Sequence, residues 1–208
     1  MFWKSLLYSL LLLPLVLVSN DLEAHSKEGS NEAALTASRP VLGEFPDKID
    51  FTLRSPRGPV SLAGLKGRAV LIFFGYTSCP DVCPISLATI SRVLMRFSAD
   101  DLDRIQPLFI SLDPERDTLE ILDQYTNYFH DRILGVTGEM SDLMRVSRLF
   151  KVNYQRKNSP HSPRGYSIDH RTDIIVVNTV GRVQGFFPHN DKPATIAAAI
   201  QQVLAVER

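Results

Sequence analysis

The only two cysteines of this chain stand close together, in Thr77-Ser78-Cys79-Pro80-Asp81-Val82-Cys83-Pro84. Three residues separate them and a proline follows each. Thiols at this spacing admit three chemistries. The first is a structural disulfide, the usual state of a lone cysteine pair in an exported chain. A bridge here would close a five-residue loop, however, worth only about 2 kcal/mol by chain entropy. The second is a redox couple, since a thiol at a helix N-terminus feels the helix dipole and unpaired N–H groups that favour thiolate. The spacing is one residue longer than the thioredoxin-type C-x-x-C, and a disulfide remains geometrically open. The third is a soft, two-armed metal claw, which needs a further ligand from elsewhere.

Five histidines are available for that role. His25 lies in a polar N-terminal stretch, His161 in a polar insertion, His189 in an "FPHND" turn, and His130 at a helix end where a cation suits the dipole. Each reads as an exposed surface residue. His170 differs: it lies in "YSIDHRTDIIVV", leading into the penultimate strand, expected at the sheet edge that abuts the cysteine turn. Asp169 and Asp173 flank it and are candidates to orient its ring. A purely structural histidine accounts for these residues equally well. Were Cys79, Cys83 and His170 the ligands, structural zinc would lack its fourth protein ligand. Two thiolates and one imidazole suit copper, and three-coordination leaves the open side that a carrier needs.

The elements that must position these residues are legible in the hydrophobic pattern. "IDFTL" (49–53), a "SPRGP" turn and "VSL" (60–62) predict an N-terminal hairpin. "AVLIFFGY" (69–76) is a continuous apolar, β-branched and aromatic run, as in a strand buried on both faces. "ISLATISRVLMRF" (85–97) has helical spacing with Pro84 in its first turn. The cysteines therefore occupy a strand-to-helix junction at the carboxyl end of a central strand, where sites of open α/β sheets gather. Strand 105–112, helix 118–129, strand 133–136 and helix 141–150 repeat the pattern. "DPERD" between the first two reads as a turn with an N-cap at Asp117 or Thr118. Thirteen polar residues (153–165) follow, then a hairpin of 173–178 and 183–187, and a closing helix opened by Pro193. This order predicts an α/β, thioredoxin-like fold: a central mixed sheet flanked by helices, with an N-terminal β-hairpin.

Composition narrows the function classes. Lys+Arg and Asp+Glu each total 23, and no basic block appears, which speaks against nucleic-acid binding. At the N-terminus, Lys4 precedes a nearly unbroken apolar run over 6–18, interrupted by Ser9 and Pro14. Residues 1–19 thus read as a signal peptide or an N-terminal membrane anchor. The charge before the run places the body of the protein outside the cytoplasm. Residues 20–40 are small and charged and predict a flexible linker, with the folded domain over 41–208.

At this point the sequence resembles the Sco/SenC family. "FFGYTSCPDVCP" (73–84), "SLDPERDT" (111–118) and "YSIDH" (166–170) are similar to its three signature segments, in order, within a match over roughly 41–205. The family consists of membrane-tethered, thioredoxin-like copper proteins of cytochrome c oxidase assembly. The resemblance implies that Cys79, Cys83 and His170 are copper ligands, for Cu(I), Cu(II) or both, with Asp169 in support of the histidine. It implies a copper chaperone, a metallochaperone rather than an enzyme in the first instance, that serves the binuclear centre on cytochrome c oxidase subunit II and receives copper from another donor protein. The implied location is the bacterial periplasm, with the N-terminal segment tethered to the inner membrane. The alternative is a thiol-disulfide oxidoreductase that uses the same Cys79 and Cys83 on cysteines of the oxidase or of other exported proteins. One departure is Arg171, where family members often carry serine after D-H; it puts a cation near the site.

Overall fold

A computed structural model describes residues 45–46, 49–159 and 165–206. The leader and linker expected over 1–40, and His161, lie outside the described residues. Among the described residues no helix is long and apolar enough to cross a membrane.

The centre of the molecule is β3 (Ala69–Gly75), in which every residue is buried. Such a strand needs partners on both edges and cover on both faces. On one edge it pairs in parallel with β4 (Ile105–Ser111), from Ala69 opposite Ile105 to Gly75 opposite Ser111. On the other it pairs antiparallel with β8 (Ile174–Val177). With β5 (Leu134–Val136) and β9 (Val183–Phe187) the five-stranded order is β5-β4-β3-β8-β9. This is the mixed sheet the sequence predicts.

Because side chains alternate along a strand, β3 divides the core in two. Val70, Ile72 and Phe74 face a half-core with Leu53, Leu143, Val146 and Phe150. Ala69, Leu71 and Phe73 face the other, with Leu87, Ile90 and Val93 from α1 (Val82–Leu94), Leu122 from α3 (Leu119–Phe129), and Ile196 and Ile200 from α5 (Pro193–Ala205). The first face is closed by α4 (Met140–Leu149) and by the N-terminal hairpin of β1 (Thr52–Ser55) and β2 (Gly58–Ser61). Gly58 turns that hairpin at φ +105°, a conformation glycine adopts without steric cost. A one-turn helix α2 (Ala99–Leu102), capped by the Ser98 hydroxyl, links α1 to β4.

Two features depart from the sequence reading. The polar stretch after α4 is not simply an insertion: β6 (Tyr154–Asn158) pairs with β7 (Tyr166–His170) as a separate hairpin, with Tyr154 opposite His170. Its inward side is anchored by Tyr166 and Ile168, both buried. The strand that His170 leads into is also not at the edge: β8 lies between β3 and β9. The apolar run "IIVV" is what allows β8 to be buried between two neighbours, and the more polar β9 takes the edge.

Candidate metal centre

The octet leaves the sheet at the end of β3 and enters α1. Cys79 sits in the turn, its N–H donating to the Tyr76 carbonyl over 3.2 Å. Helix α1 begins at Val82, so Cys83 and Pro84 lie in its first turn, where a proline sacrifices no hydrogen bond. Cys83 is fully buried and Cys79 half-buried, and both are free thiols. The space for the Cys83 sulfur comes from Gly75. A Cβ there would stand 2.8 Å from Cys83 Sγ and 2.7 Å from the Phe109 ring.

The two sulfurs share one proton. Cys79 is lowered from an ordinary value of 9.0 to about 5, first because the Cys83 thiol donates to it, and then because backbone N–H groups of Asp81, Cys83 and Val82 point at it; burial opposes them. Cys83 moves up, held protonated by its bond to Cys79 and by burial. The helix start therefore stabilises a thiolate at the outer sulfur and a thiol at the inner one.

His170, at the end of β7, makes edge contacts with Phe73 and Tyr76, each at 6.3 Å between ring centroids. Its Nδ1 lies 2.8 Å from the Arg171 carbonyl oxygen. A carbonyl only accepts, so Nδ1 carries the proton and Nε2 presents its lone pair. Burial lowers the imidazole's pKa, which keeps the ring neutral and fit to ligate. Tyr76 joins the two parts of the site, since its carbonyl receives the Cys79 N–H while its ring makes an edge contact with His170. Among the described residues no three His, Cys, Asp or Glu side chains converge closely enough to enclose a metal ion. The cysteines are together, with His170 beside them on Phe73 and Tyr76.

Asp169 points elsewhere. Its carboxylate takes the Lys157 ammonium at 2.6 Å on the exposed face of the hairpin. Asp173 is bound by Arg171, whose guanidinium also lies over Phe186, 4.2 Å from the ring centroid. The group that orients His170 is thus the Arg171 carbonyl, and the Arg171 charge is spent on Asp173.

A second layer lies beneath the octet, in the segment that ends the neighbouring strand. The Thr118 hydroxyl caps α3 through the Ile121 N–H. The Asp117 carboxylate is therefore free of that duty, and it accepts from Thr77 N (2.9 Å), Thr77 Oγ1 (2.6 Å) and Ser111 Oγ (2.6 Å). It is fully buried, and burial raises its pKa against those three bonds. Beside it Arg116 and Asp113 form a buried ion pair, and the Tyr166 hydroxyl donates to Asp113 Oδ1 at 2.8 Å. The Arg116 guanidinium lies over Tyr166 (3.8 Å) and near Tyr76 (5.5 Å), a buried cation between two electron-rich rings. "DPERDT" thus supports the cysteine turn from below. The available sequence signal was the acidic pair Asp113 and Asp117 at the end of the neighbouring strand.

Next to His170 the surface opens into a cavity of about 620 Å³ lined by Met144, Arg148, Tyr154, Asp169 and His170 among others.

A thioredoxin-like domain with a cysteine pair at the β3–α1 junction and a histidine held against the same strand end defines a thiol- or metal-handling protein. The chain belongs to the SCO1/SenC family, whose model matches residues 43–205. It is 36% identical over 160 residues to the SCO2-like protein RP587 of Rickettsia prowazekii, covering 73% of this chain and 78% of that one. It is 34% identical over 161 residues to the mitochondrial SCO2 homolog of Bos taurus, covering 76% of this chain and 60% of the bovine protein. Among solved structures it is similar to apo Sco1 of Thermus thermophilus (TM-score 0.70, 34% identity, 81% and 96% of the two chains). It is likewise similar to Bradyrhizobium japonicum ScoI with copper bound (TM-score 0.68, 34% identity, 75% and 98%).

Proposed function

We propose that this protein is a copper chaperone in which Cys79 and Cys83, as thiolates, and His170, through Nε2, hold one copper ion. The observation that carries the reading is the pairing of a ready thiolate at Cys79 with a neutral imidazole oriented by Arg171 and packed against Tyr76, the residue whose carbonyl receives the Cys79 N–H. Soft thiolates select Cu(I), and the added imidazole also accommodates Cu(II). Loading displaces the proton that Cys83 keeps in the metal-free state. The family is one of cytochrome c oxidase assembly, so the recipient we infer is the binuclear copper centre on subunit II. Residues 1–19 would tether the domain on the periplasmic side of the inner membrane, where a copper donor protein supplies it.

A thiol-disulfide oxidoreductase is the second reading, favoured by the same asymmetry of the dithiol. The half-exposed Cys79 thiolate would attack a substrate disulfide and form a mixed disulfide. Cys83 would then lose its proton and displace the substrate thiol. Two electrons pass to the substrate, and the protein keeps a Cys79–Cys83 disulfide.

Copper titration of the reduced protein separates the two. A chaperone takes up one equivalent, and His170→Ala weakens that site by at least about tenfold. A reductase retains disulfide-reducing activity after His170→Ala and binds copper only loosely. Absence of stoichiometric copper in the reduced wild type refutes the first reading.

A further inference from the structure

Two of the chain's four methionines stand on one helix beside His170. Met140 opens α4 and Met144 follows one turn later, a spacing that makes their side chains neighbours on the helix surface. The core-facing side of α4 is already supplied by Leu143 and Val146. Met140 and Met144 are instead 39% and 45% exposed. Exposed apolar side chains need no explanation singly, but a thioether pair at this spacing brings two soft donors to one place. Both are tied to the candidate centre. The Met140 Sδ lies 2.9 Å from the Tyr154 hydroxyl, and Tyr154 is the cross-strand partner of His170. Met144 lines the same open cavity as Tyr154 and His170. Packing of the hairpin onto α4 accounts for the Met140–Tyr154 contact but gives no reason for a second, more exposed thioether facing the cavity.

We propose that Met140 and Met144 form a Cu(I)-receiving site at the mouth of the centre, from which the ion crosses the cavity past His170 to Cys79 and Cys83. This rests on the copper-chaperone reading above. Two neutral thioethers hold Cu(I) without cancelling its charge, so they bind it more weakly than two thiolates and pass it on downhill. They offer little to Zn(II) or Cu(II). No electron moves in the transfer: the copper–thioether bonds break, copper–thiolate bonds form, and Cys83 releases its proton to water.

The test uses the full chain labelled with 13C at the methionine methyls. Cys79→Ser/Cys83→Ser removes the stronger site, and Ag(I), a redox-inert substitute for Cu(I), is titrated in. The Met140 and Met144 methyls are expected to shift together. Met95, a lone thioether 76% exposed at the end of α1, serves as the internal control and stays in place. Zn(II) moves none of them, and Met144→Leu abolishes the shift at Met140. Silent Met140 and Met144 methyls, or a Met95 shift as large as theirs, overturn the proposal. Should the double serine variant not fold, wild type preloaded with one equivalent of Cu(I) receives a second equivalent and the same methyls are read. Failure of the chaperone reading is distinct, because it appears as no uptake at the cysteines of the wild type whatever the methionines do.

Discussion

Asp117 holds Thr77 by both its backbone N–H and its hydroxyl, across forty positions of sequence. The residue that opens the cysteine turn is thereby fixed to the end of the neighbouring strand. Asp117→Ala would leave three donors without an acceptor, the Ser111 hydroxyl fully buried and the two of Thr77 partly so, and unmet buried donors cost about 1–3 kcal/mol each before relaxation. The expected loss in urea unfolding is about 2–4 kcal/mol. The variant should also lower copper affinity although Asp117 is not among the proposed ligands. Unchanged affinity would mean that the cradle matters only to folding.

Gly75 sets the place of the inner sulfur. Gly75→Ala puts a methyl within van der Waals radius of both Cys83 Sγ and Phe109, and overpacking of this kind costs about 1–3 kcal/mol. A sulfur pushed away from Cys79 gives a weaker hydrogen bond to its thiolate. Thermal unfolding and the titration of Cys79 should therefore change together.

In the reduced, metal-free protein, alkylation at Cys79 should follow a titration midpoint near pH 5, while Cys83 stays unmodified through neutral pH. The fold favours the deprotonated form of Cys79. Its contribution to stability is accordingly whole above the unfolded thiol's pKa and is lost as pH falls through about 5. Cys83→Ala removes the thiol donor, the largest cause of the shift, so the Cys79 midpoint moves up towards the ordinary thiol range. Mass spectrometry of iodoacetamide-treated protein at a series of pH values reads both effects.

The Arg116–Asp113 pair is buried on both sides, so truncating one partner leaves an unmatched charge. Asp113→Ala is expected to cost about 3–5 kcal/mol. Tyr166 would lose the acceptor of its hydroxyl in the same change, loosening the strand that ends at His170. The measurement is the unfolding midpoint in urea together with the methyl and ring NMR signals of β7.

The sheet was readable in the sequence because each central strand is a short apolar run bounded by turns, with the cysteine octet at the end of the most apolar of them. The strand β6 was not readable. Its residues Tyr154, Gln155, Arg156, Lys157 and Asn158 show no alternation, because none of them is buried. What holds β6 is contacts formed only in the fold, such as Arg156 over Tyr166 at 3.4 Å and its ion pair with Glu115. Asp117 was hidden for another reason. Capping and cradling use the same acidic residue in the same turn, and only the geometry shows that Thr118 does the first and Asp117 the second. The place of Tyr76 was equally invisible, since nothing in "FFGYTS" distinguishes a tyrosine that bridges two parts of a site from one that fills a core.

The pairing of β8 with β3 sets an order of events. Cys79 and Cys83 are brought together by a strand, a turn and a helix adjacent in sequence, so their approach closes only a short loop. His170 takes its place only after the distant β8 has joined the centre of the sheet. We expect the dithiol to assemble, and to be open to oxidants, before the proposed third ligand arrives. A disulfide can close in that interval and copper cannot yet be fully held, so a newly made molecule should need its thiols reduced before its first ion is loaded.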